Sequence, residues 1–126
     1  MSLSYGSVLS ERVIGLAIDV HRYLGPRLLE SAYEECLCFE LGDHEIAYLR
    51  QVPLPIAYKG IRLECGYRMD IVAESELVIE VKAVDRLLPI YDAQILTYFR
   101  LSGNKIGLLI NFNSVLLNDG LKRIVL

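Results

Sequence analysis

No stretch of this sequence stays apolar for the roughly 18–20 residues that a membrane-spanning helix needs, so that class is excluded. Residues Met1 to Gly6 show neither the basic nor the apolar region of a secretory signal. Low-complexity tracts and internal repeats are absent. Cysteine is scarce: Cys36, Cys38 and Cys65 form an odd set with no CxxC pair. That argues against a disulfide frame or a structural zinc site and makes a reducing cytoplasm the expected compartment. An excess of positive charge is missing too. Thirteen Lys and Arg stand against 16 Asp and Glu, a formal charge of −3. Such a balance argues against a protein held on nucleic acid by bulk charge alone. A local basic groove stays open, because nine of the 13 cations are arginine.

What is present is core material. The 126 residues are 53% apolar and 23% charged, which rules out disorder and fits one domain rather than two. The expectation is a single domain over residues 1–126, with 1–9 as a loose N-terminal segment.

The spacing of apolar residues predicts the elements. Val13, Leu16, Ala17, Val20 and Leu24 predict a helix over 10–24, with Ser10 as its N-cap. Gly25-Pro26 ends it and starts a second helix over 28–41, stopped by Gly42. Leu49 to Tyr58 alternates like a strand but contains Pro53 and Pro55, which confines it to a sheet edge. Lys59-Gly60 reads as a turn, Ile61 to Ala73 as a second strand and Leu77 to Val84 as a third. Pro89 to Leu101 returns to helical period and closes at Gly103-Asn104. Ile106 to Phe112 is almost continuously apolar, the mark of a strand buried on both faces. Asn118-Asp119-Gly120 signals a turn before a last strand over 121–126. The order ααβββαββ predicts an α/β structure with a mixed central sheet flanked by helices.

The informative stretch runs from Arg68 to Lys82. With Glu74-Ser75-Glu76 as a hairpin loop, Ala73 faces Leu77, Val72 faces Val78, Ile71 faces Ile79 and Asp70 faces Glu80. Arg68 then lies opposite Lys82. Side chains alternate along a strand, so Glu80 and Lys82 point the same way with Asp70 beside Glu80. Two like charges facing across a strand pair are destabilising unless something positive sits between them. A hard divalent cation such as Mg²⁺ or Mn²⁺ takes oxygen ligands, and Asp70, Glu80 and the Val81 carbonyl supply them. Such an ion acidifies water and polarises a phosphoryl oxygen, while Lys82 is placed to meet developing negative charge. This is a geometry for phosphodiester hydrolysis. The bland alternative is a solvent-facing strand that alternates Glu and Lys. Against it, Glu80 and Lys82 interrupt an otherwise apolar strand, where charges need partners.

These residues carry a resemblance. The hairpin with Asp70 and Glu80-Val81-Lys82 resembles the core of the PD-(D/E)xK nuclease superfamily. More narrowly, the chain resembles the small bacterial family named after its GxxExxY motif. The matching segments are 25–34, Gln51-Val52-Pro53-Leu54, 66–70, 80–84, 93–98 and 107–112, in consistent order from about Val13 to Val125. The resemblance implies a restriction-endonuclease-like core in which an acid of the first motif helix, Glu30, joins the strand residues. It maps Gln94 and Tyr98 to the helix after the third strand, where relatives often carry a site glutamine. Their spacing of four also puts them on one helical face. Two positions depart from the pattern: Arg27 stands at the motif glycine, and Met69 where the superfamily name has proline.

Other candidates have plainer readings. Any acid in a first helical turn is stabilising, and Glu30 is such an acid. Glu34 shares its face. Tyr33 reads as a core or groove residue. His21 and His44 have no ligand-like pattern, and Cys36 and Cys38 read as small apolar groups. Tyr5, Tyr23, Tyr48, Tyr58, Tyr67 and Tyr91 include candidates for base stacking, although most such tyrosines cover a core edge.

The reading is thus a Mg²⁺-dependent hydrolase of phosphodiester bonds, an endo- or exodeoxyribonuclease. Asp70, Glu80 and Val81 hold the metal, and Lys82, Glu30 and Gln94 complete the site. Arg68, Arg27, Arg86 and Tyr98 contact substrate. DNA is the substrate by analogy with the superfamily. A chain this short covers a long nucleic-acid footprint only as a homodimer or with a protein partner. The alternative is a non-catalytic binding or assembly module on the same fold.

Overall fold

The computed structural model describes residues 3–126, with side chains from residue 8 onward. Helices α1 (Leu3–Leu24) and α2 (Glu30–Asp43) are followed by five strands: β1 (Tyr48–Pro53), β2 (Ile56–Tyr58), β3 (Ile61–Leu63), β4 (Arg68–Ala73) and β5 (Leu77–Lys82). Then come α3 (Pro89–Ser102), β6 (Ile106–Asn111), a 3₁₀ turn (Leu117–Gly120) and β7 (Leu121–Val125). Five strands precede α3 where the pattern predicted three. Pro53 and Pro55 split the first predicted strand into β1 and β2, because proline cannot donate to a ladder. Residues 64–67 divide the second into β3 and β4.

The main sheet has the order β1-β4-β5-β6-β7, with β5 and β6 parallel and every other pair antiparallel. This is the predicted mixed sheet, with β1 at its edge, and it is consistent with a restriction-endonuclease-like fold. Among the described residues, strands β2 and β3 pair only with each other, as a separate two-stranded sheet.

Alternation divides the core between two faces. Ile71, Ala73, Leu77, Ile79, Val81, Leu108 and Ile110 pack with buried residues of α1 and α2, among them Val13, Ala17, Tyr33 and Leu37. On the other face Val72, Val78 and Leu109 pack with Ile95, Tyr98 and Phe99 of α3. Strand β6 is buried along almost its whole length, as predicted. Gly107 is what lets α3 come so close. A Cβ there would lie 3.0 Å from Phe99 and 3.2 Å from Ile95.

The predicted helix boundaries shift at the N-terminus. Helix α1 begins at Leu3, so Ser10 lies buried inside it and is not its N-cap. Of the segment expected to be loose, residues 1–2 lie outside the described residues. The remainder is helical, with Leu9 in the core. Gly42 falls inside α2, whose cap is His44. Helix α3 starts with Pro89 in its first turn and ends at a left-handed Gly103, φ 86°.

Candidate active site

The site is set by where β4 and β5 stop pairing. Their turn is closed by the Glu76 amide donating to the Ala73 carbonyl, 2.9 Å, with Glu74 and Ser75 both left-handed. Such turns follow the twist of the flanking strands. The register is the predicted one: Ala73 with Leu77, Val72 with Val78, Ile71 with Ile79. There the ladder ends. Asp70 and Glu80 come next, but they are not ladder partners, and Arg68 does not pair with Lys82. Side chains close the gap instead. The Asp70 amide donates to Glu80 Oε2 at 2.9 Å, and the Val81 amide donates to Asp70 Oδ2 at 2.8 Å. Both carboxylates therefore turn into the space between the parted strands. The backbone groups of alternate residues face opposite neighbours along a strand. The Lys82 carbonyl accepts from Phe112 on the β6 side, so the Val81 carbonyl faces the β4 side with its amide.

A second interruption coincides with the first. The β1–β4 ladder runs from Tyr48–Ala73 to Pro53–Arg68 but skips the pair Gln51–Asp70. Gln51 has φ 53°, the left-handed region that a residue with a side chain rarely adopts. Asp70 is thus released on both edges.

Charge accumulates in this opening. Glu80 is only 3% exposed and Asp70 is half-buried. Burial pushes the Glu80 carboxyl up to about 8, and the nearby Asp70 charge adds to it. Burial likewise pushes Asp70 up to about 6, against the Val81 amide, which favours its ionised form. The Glu34 charge raises both carboxyls and the Lys82 charge lowers both. The donor set contains only oxygen and carries excess negative charge, which fits a hard divalent cation.

The other predicted residues surround this pair to different degrees. Lys82 is half-buried and holds its ammonium 4.6 Å from the centre of the Tyr91 ring, a cation–π contact. Gln94 shares a surface recess with Lys82, Tyr91 and Thr97. Tyr98 is buried on α3, its phenol pushed up to about 12 by burial and then by the charges of Glu80 and Asp70. Glu30 is exposed at the first residue of α2, and its charge reaches Asp70. Arg68 is exposed at the start of β4. Arg27 is exposed in the α1–α2 link with φ 79°, a left-handed backbone that glycine adopts without strain. Arg86 instead lines a separate recess with Asn111, Asp119 and Lys122.

Tyr33 positions the α2 end of the site. Its hydroxyl donates to the Gly25 carbonyl at 2.6 Å and accepts from the Leu28 amide at 3.1 Å, which ties down the link before Glu30. Its ring stacks on Phe112 with centroids 4.6 Å apart.

The sequence marks Glu34 only as a helical neighbour of Glu30 and gives Arg50 and Gln51 no role. Glu34 is 6% exposed. It accepts from Arg50 Nε at 2.7 Å and from Gln51 Nε2 at 3.0 and 3.1 Å. Arg50 also binds Glu35 at 2.8 Å. The helical spacing from Glu30 was the signal for Glu34. Nothing in the sequence marks the backbone of Gln51. Among the described residues, Glu40, Asp43 and His44 form a separate donor group, within 4.8 Å of one another. It sits at the far end of α2, roughly 15–20 Å along the helix from Glu30.

A protein-family model described as the PD-(D/E)XK nuclease superfamily matches residues 7–124. Nucleases of that superfamily typically use divalent metals. No curated protein and no solved structure gives a significant match.

Proposed function

This chain belongs to the PD-(D/E)XK nuclease superfamily, and from that premise we propose that it is a Mg²⁺-dependent hydrolase of phosphodiester bonds in DNA. The supporting observation is the parted β4–β5 ladder, with the half-buried Asp70 and buried Glu80 carboxylates turned into the gap and Lys82 beside them. Asp70, Glu80 and the Val81 carbonyl would hold the ion. When bound, the ion polarises a phosphoryl oxygen and acidifies water.

The chain's own residues do the rest. Asp70 and Glu80 are each fixed by a backbone amide, so their oxygens are oriented before metal or substrate arrives. Lys82 stabilises negative charge developing on the phosphoryl group, steadied by the Tyr91 ring. Glu30 at the start of α2 and Gln94 and Tyr98 on α3 complete the site. Arg68 and Arg27 meet backbone phosphates. The left-handed Arg27 and the Tyr33 clamp also support the narrower GxxExxY placement, and with it a bacterial cytoplasmic enzyme.

The test combines thermal shift and cleavage. Millimolar Mg²⁺ or Mn²⁺ should raise the melting temperature of the wild type but not of Asp70→Asn or Glu80→Gln. Plasmid, single-stranded DNA and RNA then report turnover, with a loss on the order of 10³-fold in both variants. Lys82→Ala should lose 10²–10³-fold, on the order of one charge-stabilising donor, while keeping the metal shift. A wild type that gains no stability from metal and cleaves nothing would leave a non-catalytic module on this fold.

A further inference from the structure

We propose that the β2–β3 hairpin is an arm that binds unpaired nucleotides, so that the neighbouring site acts on single-stranded nucleic acid. The inference rests on the phosphodiesterase reading for the site it serves, but binding by the arm can be measured without turnover.

The hairpin exposes what a folded chain normally covers. Tyr58 is 57% exposed, Ile61 59%, Leu63 40% and Tyr67 48%. Its strands form a sheet separate from the main one. An isolated two-stranded ribbon is marginal by itself, so these side chains do little for stability in the free protein. The charge of this segment also differs from the rest. Residues 54–68 contain Lys59, Arg62 and Arg68 against Glu64 alone, so three minus one gives +2. The whole chain is −3, which leaves −5 for the remainder. Arg62 pairs with Glu64 on the open surface, while the Lys59 ammonium lies 5.5 Å from the Tyr58 ring centre. Exposed pairs of this kind are weak and readily exchanged for a phosphate.

The arm is joined directly to the site. The Leu54 amide donates to the Tyr67 carbonyl at 2.8 Å, and Pro53 pairs with Arg68 at the hairpin's base. Arg68 is two residues before Asp70, about 7 Å along the strand. A strand of nucleotides held on the hairpin would therefore run toward the carboxylates.

Exposed aromatic faces beside cations are the chemistry of single-strand binding, in which bases stack and the groove follows the phosphates. In a duplex the base faces are already stacked and unavailable to tyrosine. Duplex binding rests on phosphate contacts to a broad cationic surface, which a net charge of −3 does not favour.

The experiment is fluorescence anisotropy in EDTA, where cleavage cannot interfere. The probes are a labelled single-stranded DNA of about 12 nucleotides, the RNA of the same sequence and the corresponding DNA duplex. The wild type should bind a single strand more tightly than the duplex. Tyr58→Ala and Tyr67→Ala should each weaken that binding about tenfold, and Tyr58→Phe should restore it to within about twofold. Lys59→Glu should weaken it and reduce its salt dependence. Preference for DNA or for RNA identifies the sugar, and either supports the arm. Three results would overturn it: equal affinity for duplex and single strand, unchanged binding by Tyr58→Ala with its fold intact, or a Tyr58-dependent dimer in sedimentation with no change in nucleotide binding. Single-strand binding without cleavage in Mg²⁺ would support the arm and refute the enzyme. Cleavage indifferent to both tyrosines would do the reverse.

Discussion

At its turn end the β4–β5 pair is an ordinary buried ladder, and at its open end the same two strands part around charged groups. Ile71, Ala73, Val78 and Ile79 are fully buried and in register. One step further, Asp70 and Glu80 replace backbone pairing with bonds from amide to carboxylate. The opening is not fraying of β5. That strand keeps its full parallel ladder with β6, through Lys82 opposite Asn111. Only β4 moves aside, so the charged groups stand on a rigid platform. The turn end stabilises the fold, while the open end concentrates charge at the cost of stability in the metal-free protein.

Substitutions at the two ends should therefore move stability in opposite directions. Ile79→Ala removes a fully buried side chain from the face packed on α1 and α2. It should cost about 3–4 kcal/mol in urea unfolding. Activity per folded molecule should change little. Glu80→Gln, its near neighbour, keeps an oxygen that can accept from the Asp70 amide but removes a buried charge. In EDTA at pH 8 it should be at least as stable as the wild type, although it abolishes the metal response. A marked loss of stability in Glu80→Gln under those conditions would mean that the charge is compensated within the chain.

A smaller effect on the same contrast comes from pH. Asp70 rises from 3.8 to about 6 on folding, and Glu80 from 4.5 to about 8. Between the unfolded and folded values the native state binds more protons than the unfolded chain. The stability of the metal-free protein should then fall as pH rises from about 4 to 8, and stay low above that. Melting temperatures in EDTA across this range should show the decline. The double variant Asp70→Asn/Glu80→Gln should flatten it, and saturating Mg²⁺ should oppose it by holding the ionised pair. A rise with pH in the wild type, cancelled by the double variant, would contradict the electrostatics of the opening.

The same contrast divides what could be read in the sequence. Apolar alternation and the Glu74-Ser75-Glu76 loop fixed the register of the buried end, because a one-residue slip would turn every core side chain outward. That register in turn put Asp70 beside Glu80. Pairing past Ile71 was not legible. It depends on where each backbone goes once apolar packing no longer selects it, and the irregular residue opposite Asp70, Gln51, lies on a different strand. Likewise the two prolines signalled an edge strand, but alternation could not show that the chain beyond them leaves the main sheet. Glu34 was visible as a helical neighbour of Glu30. Its burial was not, since that depends on Arg50 and Gln51 arriving from β1. The left-handed backbone of Arg27, φ 79°, was not legible, since nothing in that residue type marks it.

The smallest effect tests what opens β4 on its other edge. In a regular strand, glycine is less stable than alanine, because it loses more backbone freedom on folding. Gln51 sits at φ 53°, where any side chain strains the backbone by about 1–2 kcal/mol. Both Gln51→Gly and Gln51→Ala delete the amide that binds Glu34, so that loss cancels between them. The ordinary order should then invert, with the glycine variant more stable by about 1 kcal/mol in urea. The opening beside Asp70 should survive in the glycine variant, with its metal-induced thermal shift intact. The alanine variant gains by relaxing toward a regular strand, which would pair position 51 with Asp70 and draw that carboxylate out of the gap. A weaker metal shift in alanine than in glycine would show that the left-handed turn of β1 holds β4 open. Equal stability and equal metal response in the two would instead leave the charged groups of the opening as sufficient cause for it.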